Sequence, residues 1–170
     1  MRFINEFAQR FFGYSESEIL GKCVMGTLVP EIESTGRDLR GMIAEILKAA
    51  EDYRTNVNEN MKKNGERVWI AWTNKPIVSE SGEMEILCIG NDITELRSAK
   101  ERLESMNQRL LEIIEFLPDA TLVIDADGRV VAWNRAMEEM TGISKSEILG
   151  RGDFAYALPF HGCRRPMLID

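Results

Sequence analysis

An internal repeat constrains the fold of this chain more than any other feature. When the 170-residue sequence is shifted by 129 positions against itself, residues 13–21 fall on residues 142–150. Both stretches read Gly-x-Ser-x-Ser-Glu-Ile-Leu-Gly, and Asn5 falls on Asn134 at the same shift. A repeat takes precedence over single-residue signals, because each copy marks the same place in a repeated structural unit. The sequence therefore predicts that two stretches of the chain fold alike.

Each copy has a clear local interpretation. The residues before the first glycine predict a short helix, which that glycine ends in a left-handed conformation. Ser15 then caps a second helical turn, and Glu18, three residues later, completes a capping box. Ser144 and Glu147 stand in the same places in the second copy. Each copy thus predicts a helix, a glycine break and a capped helical turn.

Between the copies the sequence predicts a helix and then a three-stranded antiparallel meander. The helix is marked by apolar residues at helical spacing, which are Leu39, Met42, Ile43, Ile46, Leu47 and Ala50. The strands are predicted over residues 53–61, 68–78 and 84–91, with turns at Asn64-Gly65 and Ser81-Gly82. Trp69 and Trp72 lie three apart on the second strand, so they point to opposite faces of the sheet.

A second, longer helix carries a coiled-coil pattern and ends before Pro118. Its apolar residues alternate spacings of three and four over about three heptads, which is typical of an a/d seam. The seam consists of Leu96, Ala99, Leu103, Met106, Leu110, Ile113 and Leu117. We expect it to join two copies of the chain as a homodimer. Residues 120–124 and 130–133 then predict a hairpin around Asp127-Gly128.

Composition excludes several classes of function. A net charge of −7 argues against a broad nucleic-acid surface. The sequence has no apolar run of membrane-spanning length and no signal-peptide pattern. Three widely spaced cysteines favour reduced thiols and a cytoplasmic location. We find no phosphate loop, nucleophile set, acid/base pair or metal-ligand spacing, so we expect neither a metal site nor catalysis in this chain.

The chain resembles the PAS family of sensor domains. Residues 5–21 are similar to the segment that runs from the second PAS strand into the first helices, and residues 64–74 are similar to its central hairpin. Residues 90–95 contain Asp92-Ile93-Thr94 and resemble the DIT-type ending, or PAC motif, that leads into a signalling helix. The resemblance implies an α+β fold, with an antiparallel sheet of up to five strands flanked by short helices and followed by a coiled-coil linker helix.

The resemblance also implies boundaries. Residues 1–95 form a PAS-like domain lacking its first strand or strands, because only Phe3-Ile4-Asn5 remains of the opening hairpin. Residues 96–117 form the linker helix, and residues 118–170 the front half of a second PAS-like domain. An incomplete sheet exposes unpaired edges. The hairpin within residues 119–134 could complete the first sheet, in the same chain or across a dimer, or the chain is a piece of a longer sensor.

A sensory and relay role follows from this resemblance. Such a module would belong to a multi-PAS signalling protein, such as a two-component sensor histidine kinase, with the output enzyme outside this chain. A small-molecule ligand or a partner would change the packing of the first helix on the sheet, and Asp92, Ile93 and Thr94 would pass the change to the linker helix. The candidate pocket residues are Trp72, Asn74, Ile43 and Leu47, and we expect no tightly bound cofactor.

The alternative is a haem- or flavin-binding redox or light sensor, with the cofactor near Trp72. Flavin-binding PAS domains carry an adduct-forming cysteine at the place that Val24 occupies in this chain. Cys23 lies one position before that place. His161 is the single histidine of the sequence and is therefore the one candidate for a histidine ligand to haem. We favour a buried structural thiol for Cys23 and a surface or loop position for His161.

Overall fold

A three-stranded antiparallel meander forms the centre of the first of two compact units, Met1–Lys100. The computed structural model describes residues 1–48, 52–79 and 82–166. The strands are β1 (Thr55–Met61), β2 (Arg67–Val78) and β3 (Met84–Asp92), and they pair in that order. All three predicted strands are confirmed, and the architecture is the predicted α+β type.

The β1–β2 turn contains Asn64-Gly65 as predicted, with Gly65 at a φ of 87°. That left-handed conformation costs glycine little, because glycine has no Cβ. Of the second predicted turn, Gly82 lies between β2 and β3, while Ser81 lies outside the described residues. The three helices that precede β1 are α1 (Glu6–Phe12), α2 (Glu16–Ile19) and α3 (Arg40–Lys48). Ala50 of the predicted helical face also lies outside the described residues.

The two copies of the repeat fold alike, as predicted. The first copy forms α1 and α2. The second copy lies in the second unit, Glu101–Asp170, and forms α5 (Arg135–Thr141) and α6 (Lys145–Ile148). The helix α1 ends at Gly13 with a φ of 77°, and α5 ends at Gly142 with a φ of 73°. Both copies also form the predicted capping box at the next helix. The same short sequence therefore encodes the same local geometry twice.

The long helix α4 (Thr94–Phe116) follows β3 directly and has no buried residue. It begins two residues before the predicted start at Leu96. Most of its length belongs to the second unit. Among the residues that the structure describes, no helix is both long enough and apolar enough to cross a membrane.

The second unit contains its own two-stranded sheet, made of β4 (Leu122–Ile124) and β5 (Val130–Trp133). The prediction that this hairpin completes the first sheet within the same chain is therefore wrong, since β4 and β5 pair with one another in a separate sheet. The physical reason lies in the packing of the hairpin. Val130 and Trp133 are buried in a core that also contains residues of α5, α6 and the 3₁₀ helix Ala155–Ala157. Pairing across a dimer stays a prediction.

The short helices pack against the sheet in the first unit. Val68 and Ile70 of β2 are buried against a cluster of apolar side chains, which are Ile4, Phe12, Ile19 and Leu28. Burial of such a cluster is the main force that holds α1, α2 and the sheet together. We call the sheet face that carries Val68 and Ile70 the inner face.

Candidate functional site

The central strand β2 separates the functional residues of the first unit onto two faces. Trp72 and Asn74 follow Val68 and Ile70 on the inner face, and Trp69 lies on the outer face. The predicted opposition of the two tryptophans is confirmed by this alternation.

Trp72 packs closely over Gly90 on the neighbouring strand, which is its pairing partner. A Cβ at Gly90 would lie 2.8 Å from the Trp72 ring and 2.8 Å from Cγ2 of Ile70. Position 90 therefore holds glycine because a side chain there would occupy the space of the indole.

A ladder of asparagine side chains runs along the inner face of β1 and continues onto β2. We call the set Asn56, Asn58, Asn60 and Asn74 the amide ladder. Asn74 Nδ2 donates to Asn56 Oδ1 at 2.6 Å, and Asn56 Nδ2 donates to Asn58 Oδ1 at 2.8 Å. Asn58 Nδ2 donates in turn to Asn60 Oδ1 at 3.1 Å. The ladder is a continuous chain of hydrogen bonds.

Both ends of the amide ladder are fixed. Asn60 Nδ2 donates to the carbonyl of Leu28 at 3.0 Å, and Asn74 Nδ2 donates to the carbonyl of Tyr53 at 2.8 Å. The indole of Trp72 donates from Nε1 to Asn60 Oδ1 at 3.1 Å. Asn58 and Asn60 are 1% and 0% exposed, so these amides depend on one another for their hydrogen bonds. The described part of the inner face thus carries an uncharged polar network beside an indole, and its groups donate to one another and to backbone carbonyls.

Two of the four predicted pocket residues, Trp72 and Asn74, belong to this network. Ile43 lies half-buried on α3, and Leu47 belongs to the same helix, with a side chain outside the described part of the chain. Sequence reasoning missed Asn56, Asn58 and Asn60. Their signal was an asparagine at every second position of a strand, opposite apolar residues of the next strand.

Two carboxylates are buried in the first unit: Glu59 on β1 and Glu33 in the segment before α3. Glu59 accepts hydrogen bonds from the backbone N and the hydroxyl of Ser34, both at 2.8 Å, and from Arg67 at 2.9 Å. Glu33 accepts from the backbone N of Glu59 at 3.1 Å and from Arg37 at 2.7 Å. Buried charges persist only when they are paired in this way. The pattern of the sequence did not predict this pair.

The predicted transmission residues lie at the junction of β3 and α4, where they contact β2. Thr94 Oγ1 donates to Asp92 Oδ1 at 2.6 Å and accepts from the backbone N of Trp69 at 2.9 Å. The backbone N of Ile93 donates to the carbonyl of Trp69 at 2.9 Å. The guanidinium of Arg97 lies 3.7 Å from the centre of the Trp69 ring, a cation–π contact. The start of α4 is therefore attached to the central strand at Trp69, one residue before Ile70 and three residues before Trp72 of the inner face.

Six of the seven predicted seam residues lie on α4, and the seventh, Leu117, directly follows the helix. All seven are exposed in the single chain. Their exposures run from 53% to 71% for Leu96, Leu103, Met106, Leu110 and Ile113. A regular stripe of exposed apolar residues on a helix is typical of a surface that binds a partner.

The residues of the alternative sensor types lie elsewhere. Cys23 is exposed, so the expectation of a buried structural thiol is wrong. It lies in the short turn between α2 and Leu28, where the thiol reaches solvent. His161 is exposed at the end of α7 (Leu158–His161), as expected, and its ring contacts Arg165 at 2.9 Å.

A cleft of about 400 Å³ lies between the end of α1 and the β1–β2 turn. Lys62 and Lys63 line it, but Lys62 pairs with Glu66 at 2.8 Å and Lys63 pairs with Glu18 at 2.5 Å. Both lysines are therefore paired with glutamates, and Arg10 also lines the cleft.

Comparisons with known proteins agree with this geometry. A family model described as the PAS fold matches residues 1–93 and 108–152. A curated relative, the oxygen sensor protein DosP of Escherichia coli (strain K12), is 26% identical over 155 residues. The match covers 87% of this chain and 18% of DosP, so the chain spans less than a fifth of the length of that relative.

Proposed function

The chain belongs to the PAS family, and from that premise we propose that it is a sensory and relay module of a cytoplasmic signalling protein, with no catalysis of its own. Output would come from a kinase or another enzyme domain of the same signalling system. The module would bind a small, neutral ligand or a partner at the inner face and transmit its state through α4. The oxygen-sensor name of the relative supports a sensory role in general terms.

The relay proposal rests on one observation: the inner face of β2 contacts the amide ladder, and its outer face contacts the start of α4. Trp72 and Asn74 hold the amide ladder on the inner face, and Trp69, three residues before Trp72, holds Thr94 at the start of α4. A ligand that displaces Trp72 or exchanges hydrogen bonds with the ladder would shift β2. Since Trp69 is on the same strand, the shift would reach the first turn of α4.

The output of the relay would be the pairing of two α4 helices. A parallel coiled coil has a few discrete rotational and register states, so a small change at its start biases the whole helix pair. The exposed seam supports this step, because those side chains would leave water on pairing.

The test is whether the inner face controls the seam. Sedimentation velocity would give the dimer dissociation constant of the wild type, of Asn74→Ala in the amide ladder and of Asn107→Ala on α4 outside the seam. We expect Asn74→Ala to change the dissociation constant by about fivefold, the lower end of typical couplings, and Asn107→Ala to leave it unchanged. Equal values for the wild type and Asn74→Ala, or a monomeric wild type, would contradict the proposal.

The second candidate is a haem- or flavin-binding redox or light sensor. The relative is named an oxygen sensor, which favours the sensing of oxygen within this class. His161 does not fit a buried haem ligand, because it is exposed and contacts Arg165. A visible absorption spectrum of the purified chain separates the two candidates. We expect no visible absorption band from the purified chain. A haem or flavin band would support the second candidate.

A further inference from the structure

The repeat places two asparagines at equivalent positions, and both cap the helix that follows. Asn5 Oδ1 accepts a hydrogen bond from the backbone N of Ala8 at 2.8 Å. Asn134 Oδ1 accepts one from the backbone N of Met137 at 3.0 Å. As N-caps the two side chains are interchangeable.

Asn134 makes three further hydrogen bonds. Its Oδ1 also accepts from the backbone N of Thr121 at 2.9 Å. Its Nδ2 donates to the carbonyls of Leu117 at 3.2 Å and Asp119 at 2.8 Å. Asn134 is 0% exposed, whereas Asn5 is exposed, and the capping bond is the one described hydrogen bond of the Asn5 side chain. The extra bonds at position 134 are therefore not explained by capping.

The extra bonds join three elements at one amide. Leu117 is the residue after α4, and the last carbonyls of a helix have no partner within the helix. Pro118 prevents the helix from continuing, so the carbonyl of Leu117 needs a partner outside the helix, and Asn134 provides one. Asp119 and Thr121 lead into β4, and Asn134 itself begins α5. One buried side chain thus connects the end of α4 with β4 and α5.

We propose that Asn134 is a positioning residue that fixes the C-terminal end of α4 to the core of the second unit, so that a change in the α4 seam reaches β4 and α5. The second part rests on the relay function proposed above. Lys145 of α6 also contacts α4, at Glu115 with 2.7 Å, but both side chains are partly exposed and such pairs are weak. We expect the hydrogen bonds of the Asn134 amide to hold the end of α4 more strongly than this ion pair does.

Aspartate separates the two roles of this side chain. Asn134→Asp keeps an acceptor for Met137 and Thr121 but loses the donor to Leu117 and Asp119, and it places negative charge against those carbonyls. Asn5→Asp is the matched control, since Asn5 uses only its acceptor. A role in capping alone predicts no exchange change confined to the end of α4 in either aspartate variant, because aspartate caps a helix as well as asparagine does.

The first experiment is hydrogen exchange on the full chain, read by mass spectrometry. We expect Asn134→Asp to raise exchange over residues 113–121 by about tenfold, as two lost hydrogen bonds to backbone carbonyls imply. Exchange at the start of α5 should stay near that of the wild type, and Asn5→Asp should change exchange nowhere. Unchanged exchange over residues 113–121 in Asn134→Asp would overturn the inference, as would an equal effect of Lys145→Ala.

The second experiment tests the relay through this residue. Ile113→Glu disturbs the seam one turn before the end of α4. We expect it to raise exchange in α5 in the wild-type background and to add nothing in the Asn134→Asp background. The same effect in both backgrounds would overturn the role of Asn134. A monomeric wild type in sedimentation would instead contradict the proposed relay function, and the exchange of Asn134→Asp would still decide the tie itself.

Discussion

Thr94→Val offers a direct perturbation of the junction between the sheet and α4. The Thr94 hydroxyl donates to the carboxylate of Asp92 and accepts from the backbone N of Trp69, at 2.6 Å and 2.9 Å. Valine has nearly the same shape and removes both bonds without opening a cavity. The half-buried N–H of Trp69 would then lose its partner.

The expected loss of stability follows from those two bonds. A neutral hydrogen bond contributes about 0.5–1.5 kcal/mol, and a bond to a charged group contributes about 1.5–3 kcal/mol. Asp92 is exposed, so its bond belongs at the low end of that range. We therefore expect Thr94→Val to destabilise the first unit by about 2 kcal/mol. Thr94→Ser keeps the hydroxyl and should lie within about 0.5 kcal/mol of the wild type.

Urea unfolding monitored by tryptophan fluorescence measures this difference. A Trp133→Phe background, shared by all variants, leaves Trp69 and Trp72 as the fluorophores, so the signal reports the first unit. Amides in the first turn of α4 should also exchange faster in Thr94→Val. A loss below about 0.5 kcal/mol, or an equal loss in Thr94→Ser, would refute the assignment of Thr94 as the attachment point.

Three further predictions concern the same unit. Gly90→Ala should lower the free energy of unfolding by about 1–3 kcal/mol and shift the fluorescence of Trp72, because the added Cβ would lie 2.8 Å from the indole. Unchanged fluorescence in the folded variant would contradict this packing. Asn58→Leu should lower the free energy of unfolding in urea by about 2 kcal/mol, because Asn56 and Asn60 lose a hydrogen-bond partner. An unchanged free energy would show that the amide ladder does not depend on Asn58. The pKa of Glu18 is lowered from 4.5 to about 2 by hydrogen bonds from the Lys63 ammonium and from Ser15. Its stabilising contribution is therefore present above pH 4.5 and is lost as the pH falls through about 2. Lys63→Met should raise that pKa in a carboxyl NMR titration, while the pKa of Glu147, lowered by Ser144 without a lysine, should not move.

Local sequence signals predicted most of the fold because they were strong and short in range. The repeated capping boxes, the Asn64-Gly65 turn and the alternation of β2 each depend on neighbours within a few residues, and the structure contains all of them. The apolar spacing likewise predicted the helix α4, while pairing through its seam stays a prediction. Which strands share a sheet depends on contacts between distant residues. The single-chain completion of the first sheet failed for that reason, since the hairpin around Asp127-Gly128 is held by its own core.

The candidate site was only half visible for a related reason. Trp72 and Asn74 stood out by residue type and strand face. Asn56, Asn58 and Asn60 resembled solvent-facing polar residues of an edge strand, because a pattern does not show which polar face is covered. Burial of that face turns an ordinary alternation into a polar network. Cys23 shows a different error: a buried thiol was expected from the residue type, and the residue lies in an exposed turn.

The relay account depends most directly on two α4 helices lying parallel and in register. Disulfide cross-linking tests this in a background in which Cys23, Cys88 and Cys163 are replaced by serine. Cysteine introduced at Leu103 of the seam should cross-link rapidly to the same position of a second copy, and cysteine at Gln108, outside the seam, should not. Equal cross-linking at both positions, or none at Leu103, would contradict a parallel α4 pair and with it the relay.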